Sequence, residues 1–451
     1  MAAGPERRRW WILLALALAG GLIMLDETVV GVALPALQGD LGLSQVAAHW
    51  VINAYMLVFA ALVAAGGRLG DLVGWGRLFP IGKAVFGLAS LGAGFADGLA
   101  GLIIARILQG LGAAAIFPGT IAMVMVMFTP QERGKALGLL VAVATSFLAL
   151  GPMVGGFLTE LVSWRWIFWI NLPVAATALL VAMAAWTAPP RRAARTAFDW
   201  TGLLWLVTGL SLLVFGLMQG TAWGWRAPAV IAPLLCGLAS LGIFFRLELR
   251  RDEPLIAVAL FRNASFSSCA TMLLAGQFSK IALVVFGALY LQRDLAMSPL
   301  EAGLALLPSV AAFPLLSASV GHLSDRLPVR RLVLSGLTLA SAAMLWIAVA
   351  ATWKSYLLLL PGLLLWGGGM VFCYAPTMRA MADSVAPEMQ GQCSGIGVTA
   401  RLLGGTLGVA LCGGLLTATG GFQPLFFATA AVMLLSLLFG VFSLVPNPKV
   451  H

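Results

Sequence analysis

Two neighbouring carboxylates, Asp26 and Glu27, stand inside an apolar run that extends from residue 11 to residue 37. An ionisable side chain at the centre of a lipid-spanning helix costs about 2.5–3.5 kcal/mol on insertion scales, so a charge placed there needs a partner or a task. Removing a carboxylate from water penalises its charged form, which suits a group that must take up and release a proton. Asp26 therefore reads either as a proton-binding group or as half of a static, buried ion pair with Arg106. Glu27, about 100° further round the same helix, faces a neighbouring helix or water. Arg106, Gln109 and Gly110 fall at i, i+3 and i+4 and share one helix face. A guanidinium stays charged at any physiological pH, so Arg106 either tunes a nearby carboxylate without titrating or serves as a structural hydrogen-bond donor. Lys280 follows Gln277 by three residues inside another apolar run and reads either as a lysine that snorkels from near a helix end or, being central for such a reach, as a buried cation, and Arg401 completes the basic set. Helix interiors would then hold two carboxylates, both in the first run, against three cations. Gln109, Gln277, Lys280 and Arg401 are the expected lining of a substrate cavity.

The elements that position these residues follow from composition. The chain has 451 residues, 61% hydrophobic and 10% charged, where soluble domains carry about 25% charged residues. Lipid must be the solvent for most of it, and apolar runs of about 20 residues select helices over a closed barrel. The fold class is all-α integral membrane. Apolar runs fall at 11–37, 46–66, 78–96, 99–127, 134–158, 165–187, 200–219, 228–247, 265–291, 299–321, 330–351, 355–376, 391–417 and 424–445, which gives fourteen spans. On that count 20 of the 27 Lys and Arg residues lie on the side of the termini and four on the other, which places both termini in the cytoplasm. Trp164, Trp166, Trp169, Trp223 and Trp225 gather at the opposite surface as interfacial aromatics. The basic start, Arg7 to Arg9, leads into the first span and not into a cleavable signal, because the apolar run passes residue 30 without a small-residue cleavage site.

Net charge of +10 does not indicate nucleic acid, because the basic residues are scattered singly or in threes between apolar runs. The five cysteines lie in or beside those runs without metal-ligand spacing, and no metal or cofactor is expected. An enzyme is disfavoured: the histidines are His49, His322 and His451, too scattered for a metal centre, and no G-x-S-x-G motif is present.

Gly67-Arg68-Leu69-Gly70-Asp71 after the second span and Gly321-His322-Leu323-Ser324-Asp325 after the tenth repeat one G-x-L-x-D pattern at an offset of eight spans. A six-helix unit duplicated in parallel, with two helices inserted between the copies, produces that offset. The division expected is a six-helix bundle over 1–187, an inserted pair with its linkers over 188–258, and a second bundle over 259–451. Pro189-Pro190-Arg191-Arg192 and Arg250-Arg251-Asp252-Glu253-Pro254 flank the insertion.

These residues carry a resemblance over nearly the whole chain. The sequence resembles the major facilitator superfamily, in its fourteen-helix drug:proton antiporter branch. Leu25-Asp26-Glu27-Thr28-Val29-Val30-Gly31-Val32-Ala33-Leu34-Pro35 is similar to the branch's first-helix signature, Gly67 to Arg77 to its first loop motif, Arg106 to Gly110 to its fourth-helix motif, and Gly151-Pro152-Met153-Val154-Gly155-Gly156 to its antiporter motif. The resemblance implies a monomer in a bacterial cytoplasmic membrane that exchanges protons for small lipophilic compounds by alternating access of two bundles. Asp26, Glu27 and Arg106 would couple to protons; Gly67, Asp71, Arg77, Gly321, Asp325 and Arg326 would form conformational latches, and the residues from Gly151 to Gly156 would limit leak. Two departures stand out: Leu72, Trp75 and Gly76 replace the basic residues usual after Asp71, and Phe147 replaces a glycine usual in the antiporter motif. A dedicated metabolite exporter on the same fold is the alternative reading.

Overall fold

The structure, a computed structural model, describes residues 5–185, 198–251, 254–385 and 389–444. Among these residues the chain is helical throughout, with no strand. The helices in order are α1 (Pro5–Asp40), α2 (Gln45–Val73), α3 (Trp75–Gly94), α4 (Leu99–Met127), α5 (Pro130–Leu161), α6 (Trp166–Trp169), α7 (Asn171–Ala185), α8 (Trp200–Trp223) and α9 (Pro228–Glu248). They continue with α10 (Ala264–Ile281), α11 (Gly287–Arg293), α12 (Pro299–Val310), α13 (Ala312–Arg326), α14 (Val329–Ala350), α15 (Tyr356–Asp383), α16 (Gln390–Thr419) and α17 (Phe422–Ser443).

Helix occupies each of the fourteen apolar runs. Twelve of the helical segments are long and apolar enough to cross a membrane by length and composition among the described residues. Two runs fall short of that measure. The glycine-rich α3 contains Arg77 and Lys83, and α7 reaches Ala185, where the described residues pause. The linker Pro189 to Arg192, Arg195, Asp252, Glu253 and Lys449 lie outside the described residues.

Local chemistry explains the breaks. Pro314 has no N–H to give Val310, and the tenth run accordingly jogs at Ala311 between α12 and α13. Ser298 opens α12 with a reciprocal capping box, accepting from Glu301 N at 3.2 Å while the Glu301 carboxylate accepts from Ser298 N at 2.8 Å. Gly74, at φ 94°, turns the chain sharply between α2 and α3, a backbone region that a side chain would strain.

Helices α1 to α7 pack on one another and α10 to α17 do the same, while α8 and α9 form a hairpin whose α8 lies against both α2 and α16. The two groups meet where α5 faces α12 and where α2 faces α16. Small residues let backbones approach within each group: a Cβ on Gly112 would stand 2.8 Å from the carbonyl oxygen of Gly82. In lipid such close packing replaces the hydrophobic drive that holds soluble helices together.

Candidate functional site

The carboxylate of Asp26 sits in the middle of α1, buried at 1% exposure. Arg106, from α4, reaches it with Nη1 at 2.6 Å from Oδ2. The same Nη1 donates to Gln109 Oε1 at 2.9 Å, and Arg106 Nε donates to the Val51 carbonyl at 2.9 Å. The guanidinium also stacks over Tyr55, 4.4 Å from the ring centroid, which fixes its plane. Gln109 Nε2 completes the network with Ser90 Oγ at 2.8 Å, and Asn171 Nδ2 donates to Ser90 Oγ at 3.3 Å and lies 3.5 Å from Asp26 Oδ1. Ser90 and Asn171 carried no sequence signal, since single polar residues in apolar runs have no motif of their own. All of these groups belong to α1 through α7.

Glu27 faces the other way, across the seam. Its Oε2 accepts from Lys280 Nζ at 2.7 Å and from Gln277 Nε2 at 3.2 Å, both on α10, and its Oε1 accepts from Arg401 Nη2, on α16, at 3.2 Å. The 100° step along α1 thus sends one carboxylate into its own group of helices and the next into the other. Lys280 does not snorkel. It is 5% exposed, and the turn that follows it widens to a π-helix over Ala282–Phe286. Such turns recur at functional sites in helices. Gly31 makes room for this wide turn, since a Cβ there would meet Val285 Cα at 3.1 Å.

The helix 5 motif packs in two directions. A Cβ on Gly151 would collide with the Thr28 hydroxyl, and one on Gly155 would stand 2.7 Å from the Val29 carbonyl, so these glycines seat α5 on α1. Gly156 points instead at the Pro299 carbonyl of α12, and Gly303 of α12 points back at the Pro152 carbonyl. The seam at the end remote from the termini is therefore closed by backbone against backbone. Leu300 N donates to Glu160 there at 2.9 Å, Gln292 Nε2 to the Val32 carbonyl at 2.9 Å, and Arg293 Nη2 to Gln38 Oε1 at 2.9 Å. Phe147, the departure from the glycine pattern, lies against Gly21, whose Cβ would stand 2.8 Å from the ring. The missing glycine on α5 is matched by one on α1.

The first loop motif is not a loop. Gly67 and Asp71 occupy the last turns of α2, Arg77 the first turn of α3, and Gly321 and Arg326 the last turns of α13. The helices run on past the apolar span because polar residues at their ends still satisfy the backbone in the usual i, i+4 pattern. The side chain of Asp325 lies outside the described set. Trp75, which replaces a basic residue, is buried between Gly70 and Gly119 and donates its Nε1 to Asp71 Oδ1 at 3.3 Å. Lys83, one of the 20 cations counted on the side of the termini, is buried in α3 at 3% exposure with Nζ 4.9 Å from the centroid of Phe79. No acceptor reaches that Nζ among the described residues.

Gln109, Gln277, Lys280 and Arg401, expected at a cavity, are all buried in these two networks: Gln109 with Asp26, the other three with Glu27. Chemically the site holds two adjacent acids with separate cationic partners, at the level where two groups of helices touch.

Comparison with known proteins bears on the family and the fold. The sequence matches the Major Facilitator Superfamily over residues 16–201, 181–409 and 269–451. It is similar to the puromycin resistance protein pur8 of Streptomyces alboniger, 36% identical over 90% of this chain and 82% of that protein. The cephamycin export protein CmcT of Amycolatopsis lactamdurans is 35% identical over 88% of this chain and 82% of its own length. The tetracenomycin C resistance and export protein of Streptomyces glaucescens is 30% identical over 93% of this chain and 78% of its own. Among solved structures, a mutant of the nucleoside transporter NupG superposes with a TM-score of 0.68 over 95% of this chain and 98% of its own, at 12% identity, a likeness of fold.

Proposed function

The chain belongs to the major facilitator superfamily, and from that premise we propose that it is a proton-coupled antiporter that exports small lipophilic compounds. That it moves a small molecule outward is supported by the relatives named for export of, or resistance to, puromycin, cephamycin and tetracenomycin C. In this reading the protein works as a monomer in a bacterial cytoplasmic membrane. It crosses fourteen times with both termini inside, and the bundles 1–187 and 259–451 rock about the seam while the pair within 188–258 rides beside them. The conformation described above, sealed at the end remote from the termini, is then the one closed to the exterior.

One observation carries the coupling claim: adjacent acids on one helix, Asp26 held by Arg106 inside its own group and Glu27 held by Lys280 and Arg401 across the seam. Asp26 is the main proton carrier in this scheme, with Arg106 setting its proton affinity. Protonation of Asp26 releases Arg106 to its remaining acceptors, Gln109 and the Val51 carbonyl. The shift of charge beside Glu27 loosens or tightens the cross-seam contact, so that proton binding and bundle movement are linked. Inward movement of one proton supplies about 2.3 kcal/mol per 100 mV and about 1.4 kcal/mol per pH unit, enough for a substrate gradient of a few hundred-fold.

The test is substrate-induced proton movement with purified protein in proteoliposomes. Asp26→Asn keeps the shape and one acceptor oxygen for Arg106 but cannot titrate, and it should abolish uphill transport in protein that still folds. Exchange of protons for substrate at the wild-type rate by Asp26→Asn protein would remove Asp26 from the scheme and make Glu27 the first suspect.

A further inference from the structure

The charges at the seam do not balance. Glu27 meets two cations, Lys280 and Arg401, and Arg401 Nε, in a side chain only 5% exposed, has no acceptor among the described residues. If the bundles part, as the exporter reading on which this inference rests requires, Glu27 leaves with α1. Lys280 and Arg401 stay with α10 and α16. Among the described side chains of α10 to α17, Asp294, Glu301 and Asp383 sit at or beside helix ends, so none of these carboxylates lies in the apolar interior of that bundle. Two cations that face an opened cavity with no carboxylate of their own bundle beside them attract an anion from outside that bundle.

We infer that Lys280, Arg401 and Gln277 form a subsite for the single carboxylate of a small lipophilic substrate, and that Glu27 fills this subsite as an internal competitor when the seam is shut. The geometry fits a planar headgroup with two oxygens. Lys280 Nζ and Gln277 Nε2 converge on one oxygen of Glu27, while Arg401 Nη2 takes the other, and the free Nε adds a further donor. Charge-assisted contacts of this kind are the strong ones. Across the seam the other group of helices presents soft apolar side chains suited to varied ring systems, which would form the facing wall of the opened cavity. Met24 Sδ is 4.0 Å from Arg401 Nη1, Phe117 lies under its guanidinium at 5.9 Å, and Met56 packs on Gly405, one turn along α16. Methionines adapt to irregular partners. A dication would meet like charge at the same place.

The experiment uses the full chain in lipid nanodiscs at about pH 7.5 and two matched probes, 1-naphthaleneacetate and its neutral amide, 1-naphthaleneacetamide, titrated calorimetrically. The wild-type protein should bind the acid about tenfold more tightly than the amide, the difference expected of one charge-assisted contact. Arg401→Gln and Lys280→Met should each reduce that preference toward equality. Glu27→Gln removes the competitor and should tighten the acid about tenfold while leaving the amide unchanged. Equal binding of acid and amide by the wild type overturns the inference, as does acid binding that weakens in Glu27→Gln. Should a single variant fail to fold, Glu27→Gln/Lys280→Met keeps the local charge at its native value, and it should bind the acid no better than the wild type. Efflux of the neutral dye Nile red from cells is followed in parallel. Dye export with no preference for the acid sinks the subsite and spares the exporter. Preference for the acid without export of any compound supports the subsite and sinks the exporter.

Discussion

Glu27 and Lys280 lie 253 positions apart in the chain and 2.7 Å apart in the structure, and the bond between them joins α1 to α10 across the seam between two groups of helices. Asp26, the residue before Glu27, bonds to Arg106 inside its own group. One turn of α1 thus carries both an internal tie and an external one.

The external tie predicts an asymmetry of stability. Glu27→Gln leaves two buried cations unpaired and should destabilise the protein by about 3–5 kcal/mol, the usual cost of breaking a buried pair from one side. Lys280→Met leaves Glu27 with Arg401 and Gln277, and should cost clearly less. Unfolding of the purified protein in SDS gives both values, and a larger loss for Lys280→Met would reverse the assignment of Glu27 as the hub.

The closed seam predicts sensitivity to volume at two glycines. Gly156→Val and Gly303→Val each push a side chain into a facing carbonyl, of Pro299 and Pro152 respectively, so the closed conformation should be disfavoured and transport should fall by about tenfold or more. Gly39→Ala, where nothing lies within 4 Å, should transport normally. Spin labels at Val162 and Leu304, both exposed, should report a longer distance in the two valine variants, and an unchanged distance would count against the seam as the gate.

Trp75 supports a third prediction. Its ring fills the space between Gly70 and Gly119, so Trp75→Ala should cost about 3–5 kcal/mol as a large-to-small change in a packed site. Trp75→Phe retains most of the packing and loses the bond to Asp71, for about 0.5–1.5 kcal/mol. If the two substitutions cost the same in SDS unfolding, the indole acts through its hydrogen bond and not through its bulk.

Topology can be checked directly. Reporter fusions at Arg195 and Lys449 should give cytoplasmic signals, and fusions at Gly224 and Gly420 should give exterior ones. An exterior carboxy terminus would contradict the fourteen-span count.

Composition and apolar run length were enough to place helix at every predicted run, because in lipid the backbone has few alternatives. The spacing of Arg106 and Gln109 likewise announced a shared face, and the pairing of Arg106 with Asp26 was among the readings the sequence left open. Glu27 shows where legibility ended. Its partners lie on α10 and α16, far along the chain, and nothing local to α1 records which neighbours its side chain will meet. Lys83 lies inside the run read over 78–96 yet was counted with the cations on the side of the termini, because a lysine near the start of a span ordinarily reaches the surface and nothing in its own sequence says that α3 buries it. Trp75 looked like the loss of a basic latch residue; Gly70 and Gly119, which make room for its ring, stand on different helices and gain meaning only once folded.

The proposed gate and the proposed binding chemistry of this protein are written in different alphabets. The close α5–α12 contact depends on the absence of side chains at Gly156 and Gly303, whereas the subsite inferred at α10 and α16 depends on which charged side chains are present. Under the proposed subsite, substitutions at Lys280 or Arg401 would change recognition and weaken the tie to Glu27 while leaving the α5–α12 glycine contact in place, so a lineage could diversify its substrates while inheriting one seal.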